Sequence, residues 1–303
     1  MTRPCLLPLT QRSTLQFQPP LGACDSHAHV FGPFARHPLA DDRSYTPAEF
    51  DGAAFIAHLA QLGLTRGVLV TGSASGTDNG SVLEALNAYP DRLRGVAVAT
   101  AAVSDAELDR WHAAGIRGVR ANLYQLDGHA VYRNGVGLDV LEALAPRLAA
   151  RGWHAQIWVH APDLPELSPR LRHLGVPLVI DHMGRMATAR GVQDLGFQHL
   201  CALLADGIAW TKISGADRNT GQSKTDNKPP YSDVDPFATA LLAANPERVV
   251  WGSDWPHINY FESARVPDDG VLINLLARWI PDAAQRQRVL VDNPARLYDF
   301  TVL

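Results

Sequence analysis

The segment Asp25-Ser26-His27-Ala28-His29 carries two imidazoles two residues apart, and in an extended strand that spacing turns Asp25, His27 and His29 to one face. Neutral imidazole is a metal ligand and protonated imidazole a hydrogen-bond donor. The pair therefore suits either a divalent ion or the polarisation of one carbonyl oxygen. Two other segments close apolar runs with ionisable groups: Asp181-His182-Met183-Gly184-Arg185 and Trp251-Gly252-Ser253-Asp254-Trp255-Pro256-His257. A carboxylate in a low-dielectric setting beside histidines can act as a general base on water or complete a metal shell. Asp254 is thus the candidate base, with His27, His29 and His182 as its partners. Alone, Asp254 would read as the N-cap of a following helix; the convergence of other strand ends on it favours chemistry. Arg120, Arg185 and Arg218 each follow an apolar run. Guanidinium groups grip carboxylates with two parallel hydrogen bonds, so three of them near one pocket imply an anionic substrate such as a dicarboxylate. His160 closes a further run as an extra ligand, a proton shuttle or a buried structural residue, and Trp158 and Tyr45 are pocket-wall or packing residues.

These groups need strands to carry them. Eight short β-branched or apolar runs occur at 24–30, 67–71, 95–99, 118–123, 155–160, 177–182, 208–214 and 248–254. Helical spacing separates them, for example Phe55, Ile56, Leu59 and Leu62, or Leu138, Leu141, Leu144 and Leu148. Ser104 before Asp105 and Glu107 marks a helix start, Pro47 sits near a helix entry, and Gly63, Gly115, Gly152, Gly175 and Gly207 mark stops. Repeated βα units demand parallel strands, and eight of them can close into a barrel. The dinucleotide turn GxGxxG of an open sheet is missing after the first run, which continues His-Val-Phe-Gly-Pro. A closed (β/α)₈ barrel puts the last strand beside the first, so Asp254 is expected next to His27 and His29. Long loops at 32–45 and 215–235 are expected to form the substrate walls.

The chain of 303 residues reads as a single barrel domain over 1–303, with 1–21 as an N-terminal extension. Net charge is -4 without a basic run, which argues against nucleic acid. Cys5, Cys24 and Cys201 are odd in number and lack a CxxC pair, as expected of free thiols in the cytoplasm. Neither a secretory signal nor an apolar run long enough to cross a bilayer is visible, so no membrane partner is expected. Both a monomer and a homo-oligomer are compatible with the sequence.

From about Gly22 to Tyr298 the chain resembles the amidohydrolase superfamily, in the branch of 2-pyrone-4,6-dicarboxylate lactonases and related sulfomuconolactone and sugar-acid lactone enzymes. The resemblance rests on 25–33, Gly76-Thr77-Asp78-Asn79, Gly118-Val119-Arg120, 181–185, Asp217-Arg218, 251–257 and Pro267-Asp268-Asp269. It implies a distorted α/β barrel in which water, helped by Asp254, adds to a lactone carbonyl polarised by His27, His29 and His182. Arg120, Arg185 and Arg218 would hold substrate anions, with Tyr45, Ser73, Ser75, His160 and His257 among the pocket residues. The branch uses either no cofactor or one divalent metal, zinc, held by His27, His29, His182 and Asp254. Two departures concern the substrate. Tyr124-Gln125-Leu126 occupies the stretch where dicarboxylate lactonases carry a second basic residue, the nearest arginine here being Arg133, and Ser75 stands where they often carry histidine. A small anionic lactone is the expected substrate. The alternatives are a sugar-acid lactone isomerase, a zinc-dependent decarboxylase and a non-catalytic small-acid binding protein.

Overall fold

The computed structural model describes residues 2–126, 128–132, 134–223 and 228–301. Among them eight parallel strands lie side by side in chain order: β1 (Cys24–Ala28), β2 (Arg66–Val70), β3 (Leu93–Ala97), β4 (Ile116–Asn122), β7 (His154–Trp158), β8 (Leu178–Ile180), β9 (Ala209–Lys212) and β10 (Val249–Val250). After β4, β5 (Gln125–Leu126) and β6 (His129–Ala130) form a separate antiparallel hairpin. The barrel closes just beyond β10. Ser26 N donates to Trp251 O, Asp254 N to His27 O and His29 N to Trp255 O, each at 2.8 Å. A Cβ on Gly252 would fall 2.6 Å from His27 Cβ, so glycine is what lets the last strand approach the first this closely.

Alternation along the strands sorts the core. On β2, Val68 and Val70 pack with Cys24 and Val96 and with Ala295, Tyr298 and Phe300 from the C-terminal segment, while Leu69 joins the larger cluster that contains Leu59, Leu144 and Leu200 from helices. In chain order the helices are α1 (Gly52–Gln61), α2 (Gly80–Ala88), α3 (Asp105–Ala114), α4 (Leu138–Ala149), α5 (Leu164–His173), α6 (Leu195–Ala205), the single turn α7 (Ala216–Asn219), α8 (Asp235–Ala244), α9 (Asp269–Trp279), α10 (Ala283–Gln287) and α11 (Asn293–Tyr298), of which α1 to α9 contribute residues to that larger cluster. Ser104 caps α3 by accepting from Glu107 N, and Gly115 ends it in the left-handed region, as the sequence signals predict. The helix entry near Pro47 is that of α1, whose N-cap is Asp51, its carboxylate accepting from Ala54 N.

Two expectations about strand ends need correction. The runs at 177–182 and 248–254 stop being strand at Ile180 and Val250, because the chain turns sharply to present their polar residues. His182, Met183 and Arg185 have φ of 53°, 55° and 51°, and Asp254, His257 and Asn259 have 64°, 61° and 64°. Left-handed conformations of non-glycine residues cost about 1–3 kcal/mol each and persist only where surrounding contacts impose them. Asn219 Nδ2 on His182 O at 3.0 Å and the Asp254 N bond to His27 O supply such contacts. The second correction is that Asp25 does not share a face with His27 and His29. A bulge between Asp25 and Ala28 breaks the period of two, and Asp25 turns toward α1, with Oδ2 3.6 Å from His58 Nε2. There it anchors the loop after β10, accepting from Ser253 N at 2.9 Å and Ser253 Oγ at 2.5 Å.

The residues before β1 lie against the far side of that loop. Leu6 N donates to Tyr260 O at 2.9 Å, Cys5 Sγ accepts from Asn259 N at 3.2 Å, and Arg12 pairs with Asp269 at 3.3 Å. No helix among the described residues is long and apolar enough to cross a membrane.

Candidate active site

His27 and His29 from the end of β1, His182 from the turn after β8 and Asp254 from the loop after β10 meet at one point. Asp254 Oδ1 lies 3.7, 3.4 and 3.8 Å from the Nε2 atoms of His27, His29 and His182, and all four side chains are buried. The His27 ring centroid is 5.1 Å from that of His29 and 4.5 Å from that of His182. Asp254 does not cap a helix; the N-cap of the following α9 is Asp268. Burial opposes ionisation of Asp254, yet the Arg218 guanidinium, whose Nε donates to Oδ2 at 2.7 Å, and the nearby imidazoles hold its carboxyl well below the usual range. Asp254 is therefore a carboxylate at neutral pH.

Each imidazole is oriented from behind. His29 Nδ1 donates to Val70 O at 2.7 Å, and His182 Nδ1 lies 2.9 Å from Ser214 Oγ. Behind His27 stands a polar cluster inside the barrel. Lys212 Nζ sits 3.0 Å from His27 Nδ1 and donates to Gln156 Oε1 at 2.8 Å, and Gln156 Nε2 donates to Asp181 Oδ2 at 3.1 Å. Asp181 also pairs with Lys212 and with Arg120, each at 3.3 Å. Burial and the Lys212 charge push His27 down to about 3, so its ring is neutral, and burial lowers His182 in the same sense. Lys212 itself is pushed down to about 8 by burial and stays protonated at neutral pH.

A cavity opens onto His29, His182 and Asp254 and is lined as well by Arg120, Arg185, Arg218, Tyr124, Tyr132 and Trp158. All three arginines thus share one pocket, each partly engaged already. Arg218 spends Nε on Asp254 and Nη2 on Ile258 O at 2.9 Å, Arg185 donates to Asn219 Oδ1 at 2.9 Å, and Arg120 pairs with Asp181. Beyond them the mouth continues past Asn259, Tyr260 and Arg265.

Other residues singled out from the sequence sit elsewhere. Tyr45 and Ser73 are buried behind the wall, Tyr45 packing edge-on to Tyr132 with ring centroids 5.5 Å apart and Ser73 Oγ 3.3 Å from its hydroxyl. Ser75 ends the short turn after β2, outside the cavity lining. His160 packs against Tyr124 at 5.3 Å, and His257 turns to the helix layer, with Nε2 2.8 Å from Asp269 Oδ1. Burial disfavours the His257 cation, but the Asp269 charge outweighs it and raises its pKa. Arg133 lies outside the described residues. Conversely, Lys212, Gln156 and the roles of Asp181 and Tyr132 were not anticipated. The available signal was a lysine in the short strand Ala-Trp-Thr-Lys, two residues from the inward Trp210.

The eight-stranded barrel with this cluster at its strand ends defines the class, and the chain belongs to the amidohydrolase family, whose model matches residues 24–300. It is 38% identical over 97% of its length to a 4-sulfomuconolactone hydrolase of Rhizobium radiobacter, covering 96% of that protein. It is also 38% identical over 93% of its length to a 2-pyrone-4,6-dicarboxylate hydrolase of Comamonas testosteroni, covering 92% of it. A D-galactarolactone isomerase of Agrobacterium fabrum is 30% identical over 92% of this chain and 91% of its own. Among solved structures, a probable 2-pyrone-4,6-dicarboxylic acid hydrolase from Acinetobacter baumannii with citric acid bound superposes with a TM-score of 0.77, at 29% identity over 92% of this chain and 100% of that one.

Proposed function

We propose that the protein hydrolyses an anionic lactone by base-assisted attack of water on the ring carbonyl. The observation that carries this reading is the approach of one ionised carboxylate, Asp254, to three imidazole Nε2 atoms, those of His29 and His182 on the wall of a cavity that three arginines share and that of His27 buried beside them. Asp254 takes a proton from water, and the oxygen adds to the carbonyl carbon. Imidazoles among His27, His29 and His182 stabilise the charge that grows on the carbonyl oxygen, and donors fixed in a dry site need little reorganisation to do so. The ring C–O bond then breaks and the departing oxygen recovers the proton. Arg120, Arg185 and Arg218 supply the positive field for the substrate's carboxylate or sulfonate. Tyr124, on the cavity wall at the stretch where dicarboxylate lactonases carry a second basic residue, favours an anion pattern other than two ring carboxylates.

Among the described residues, His27, His29 and Asp254 form one group close enough to hold a metal ion, and His27, Asp181 and His182 another. The chemistry of these donors argues against a divalent cation such as zinc. Lys212 sets its ammonium 3.0 Å from His27 Nδ1, and Arg218 engages the other oxygen of Asp254, Oδ2, at 2.7 Å, so two of the would-be ligands already lie beside the protein's own cations. His29 and His182 suit, their Nδ1 atoms being held by Val70 O and Ser214 Oγ, but neither candidate group is complete without His27. The donor set does not fit a divalent ion, and no step is routed through one. Turnover is expected to survive exhaustive chelation; activity that vanishes and returns with zinc would contradict this.

Carboxylated, sulfonated and uncharged lactones, assayed for ring opening and product mass, test the reading as a whole. Anionic lactones should open and gain the mass of one water. Preference for uncharged lactones would remove the anion pocket. An unchanged mass would mark an isomerase, the activity named for the 30% identical relative. Arg120→Met should raise KM for a carboxylated lactone about 10- to 100-fold, the worth of one charged hydrogen bond, and leave uncharged lactones unaffected; equal KM values for both would refute the clamp. Among the described residues Cys5, Cys24 and Cys201 are free thiols, which supports a reducing, cytoplasmic setting.

A further inference from the structure

We infer that Lys212 and the Val70 carbonyl lock the two histidines of β1 in opposite tautomers, so that His27 donates from Nε2 to the lactone carbonyl oxygen while His29 offers Nε2 as acceptor to the attacking water. The inference rests on the hydrolytic reading and divides roles that the family likeness assigns to the imidazoles collectively.

An ammonium has donors and no acceptor. Lys212 Nζ, 3.0 Å from His27 Nδ1, therefore makes that nitrogen the acceptor and leaves the ring proton on Nε2. His27 Nε2 is buried, has no hydrogen-bond partner among the described residues, and lies 3.7 Å from Asp254 Oδ1. A buried donor without a partner is costly unless a substrate completes it. Asp181 Oδ1 competes for the same Nδ1 at 3.3 Å and would demand the other tautomer. That oxygen, however, makes no hydrogen bond among the described residues, and the bond Asp181 does make is on Oδ2, from Gln156. Asp181 thus acts through its charge, which anchors Lys212 and Arg120.

His29 is held the opposite way. A backbone carbonyl only accepts, so the 2.7 Å contact with Val70 O puts a ring proton on Nδ1; in the neutral ring Nε2 is then the acceptor, 3.4 Å from Asp254 Oδ1. In the neutral ring that nitrogen and the carboxylate oxygen are both acceptors, and one water can give a hydrogen to each. On attack, the O–H bond to Asp254 breaks as the C–O bond forms, and the carbonyl π pair moves to the oxygen that His27 Nε2–H faces. Collapse breaks the ring C–O bond and returns the proton from Asp254 to the leaving oxygen. Lys212 touches no substrate in this scheme; it is a positioning residue.

Long-range ¹H–¹⁵N correlation of the imidazoles in the intact protein at neutral pH reads the tautomers directly, with assignment from single His27→Gln and His29→Gln variants. The expected spectrum shows His27 protonated on Nε2 and His29 on Nδ1; a His27 proton on Nδ1, toward Asp181, overturns the inference. Lys212→Met should move the His27 proton to Nδ1 and lower kcat about 10²-fold, as for one lost oxyanion donor, with KM retained. A folded Lys212→Met protein with wild-type kcat overturns it too, and should that variant not fold, the wild-type spectrum still decides. If the wild-type tautomers are as stated but no lactone opens, the hydrolytic reading falls and the tautomer assignment stands; if lactones open with His27 protonated on Nδ1, the inference alone falls.

Discussion

Asp254→Asn is expected to fold, bind an anionic lactone with nearly unchanged KM and lose about 10³-fold in kcat. The amide keeps the shape of the side chain, and its oxygen can still accept from Arg218 Nε, but it cannot take a proton from water. Positioned general bases contribute about 10²- to 10⁴-fold, and the buried carboxylate is the ionised acid nearest the three Nε2 atoms. Steady-state kinetics on the lactone most rapidly opened by the wild type provides the measurement. A variant with near wild-type kcat would remove Asp254 from the chemistry.

Arg218→Met is expected to damage both stability and activity, for one electrostatic reason. In the wild type, burial pushes the Asp254 carboxyl up while Arg218 and the imidazoles pull it further down. A carboxyl depressed in the folded state contributes stability above its unfolded pKa, and that contribution is lost as pH falls through the lower folded value. Without Arg218 the balance reverses toward burial, the folded pKa climbs, and the remaining charge is unpaired. Breaking a buried pair by removing one partner costs about 3–5 kcal/mol, to be read as a lower midpoint in urea. The kcat/KM profile should gain an acid limb in the range where the wild type is flat, with partial recovery as pH rises. A variant with wild-type stability and no new limb would show that Arg218 does not set the charge of Asp254.

Much of this arrangement was legible in the sequence because barrel topology converts chain order into neighbourhood. Once eight βα units are counted, the last strand must adjoin the first, and Asp254 must lie near His27 and His29 whatever the details of the loops. The details escaped for local reasons. A period of two presumes a regular strand, and the bulge after Asp25 sends that carboxylate to His58 instead of the cavity. Left-handed residues at His182 and Asp254 shorten β8 and β10, and no residue type there announces them. His257 follows Asp254 by three residues yet faces Asp269, because the intervening turn reverses its direction. From its place after a strand Arg218 reads as a substrate clamp; how much of it is taken by Asp254 and Ile258 depends on the fold of the loop after β10. Lys212 was the largest omission, since a charge in a short strand is ordinarily assigned to a solvated face, and here that face is the sealed interior of the barrel.

The most direct test of water addition at Asp254 is a single turnover of an anionic lactone in H₂¹⁸O, with the product analysed by mass spectrometry. Base-assisted hydrolysis places one labelled oxygen in the new carboxyl group of the ring-opened acid. Product carrying no label, whether of unchanged mass or short of carbon dioxide, would contradict it.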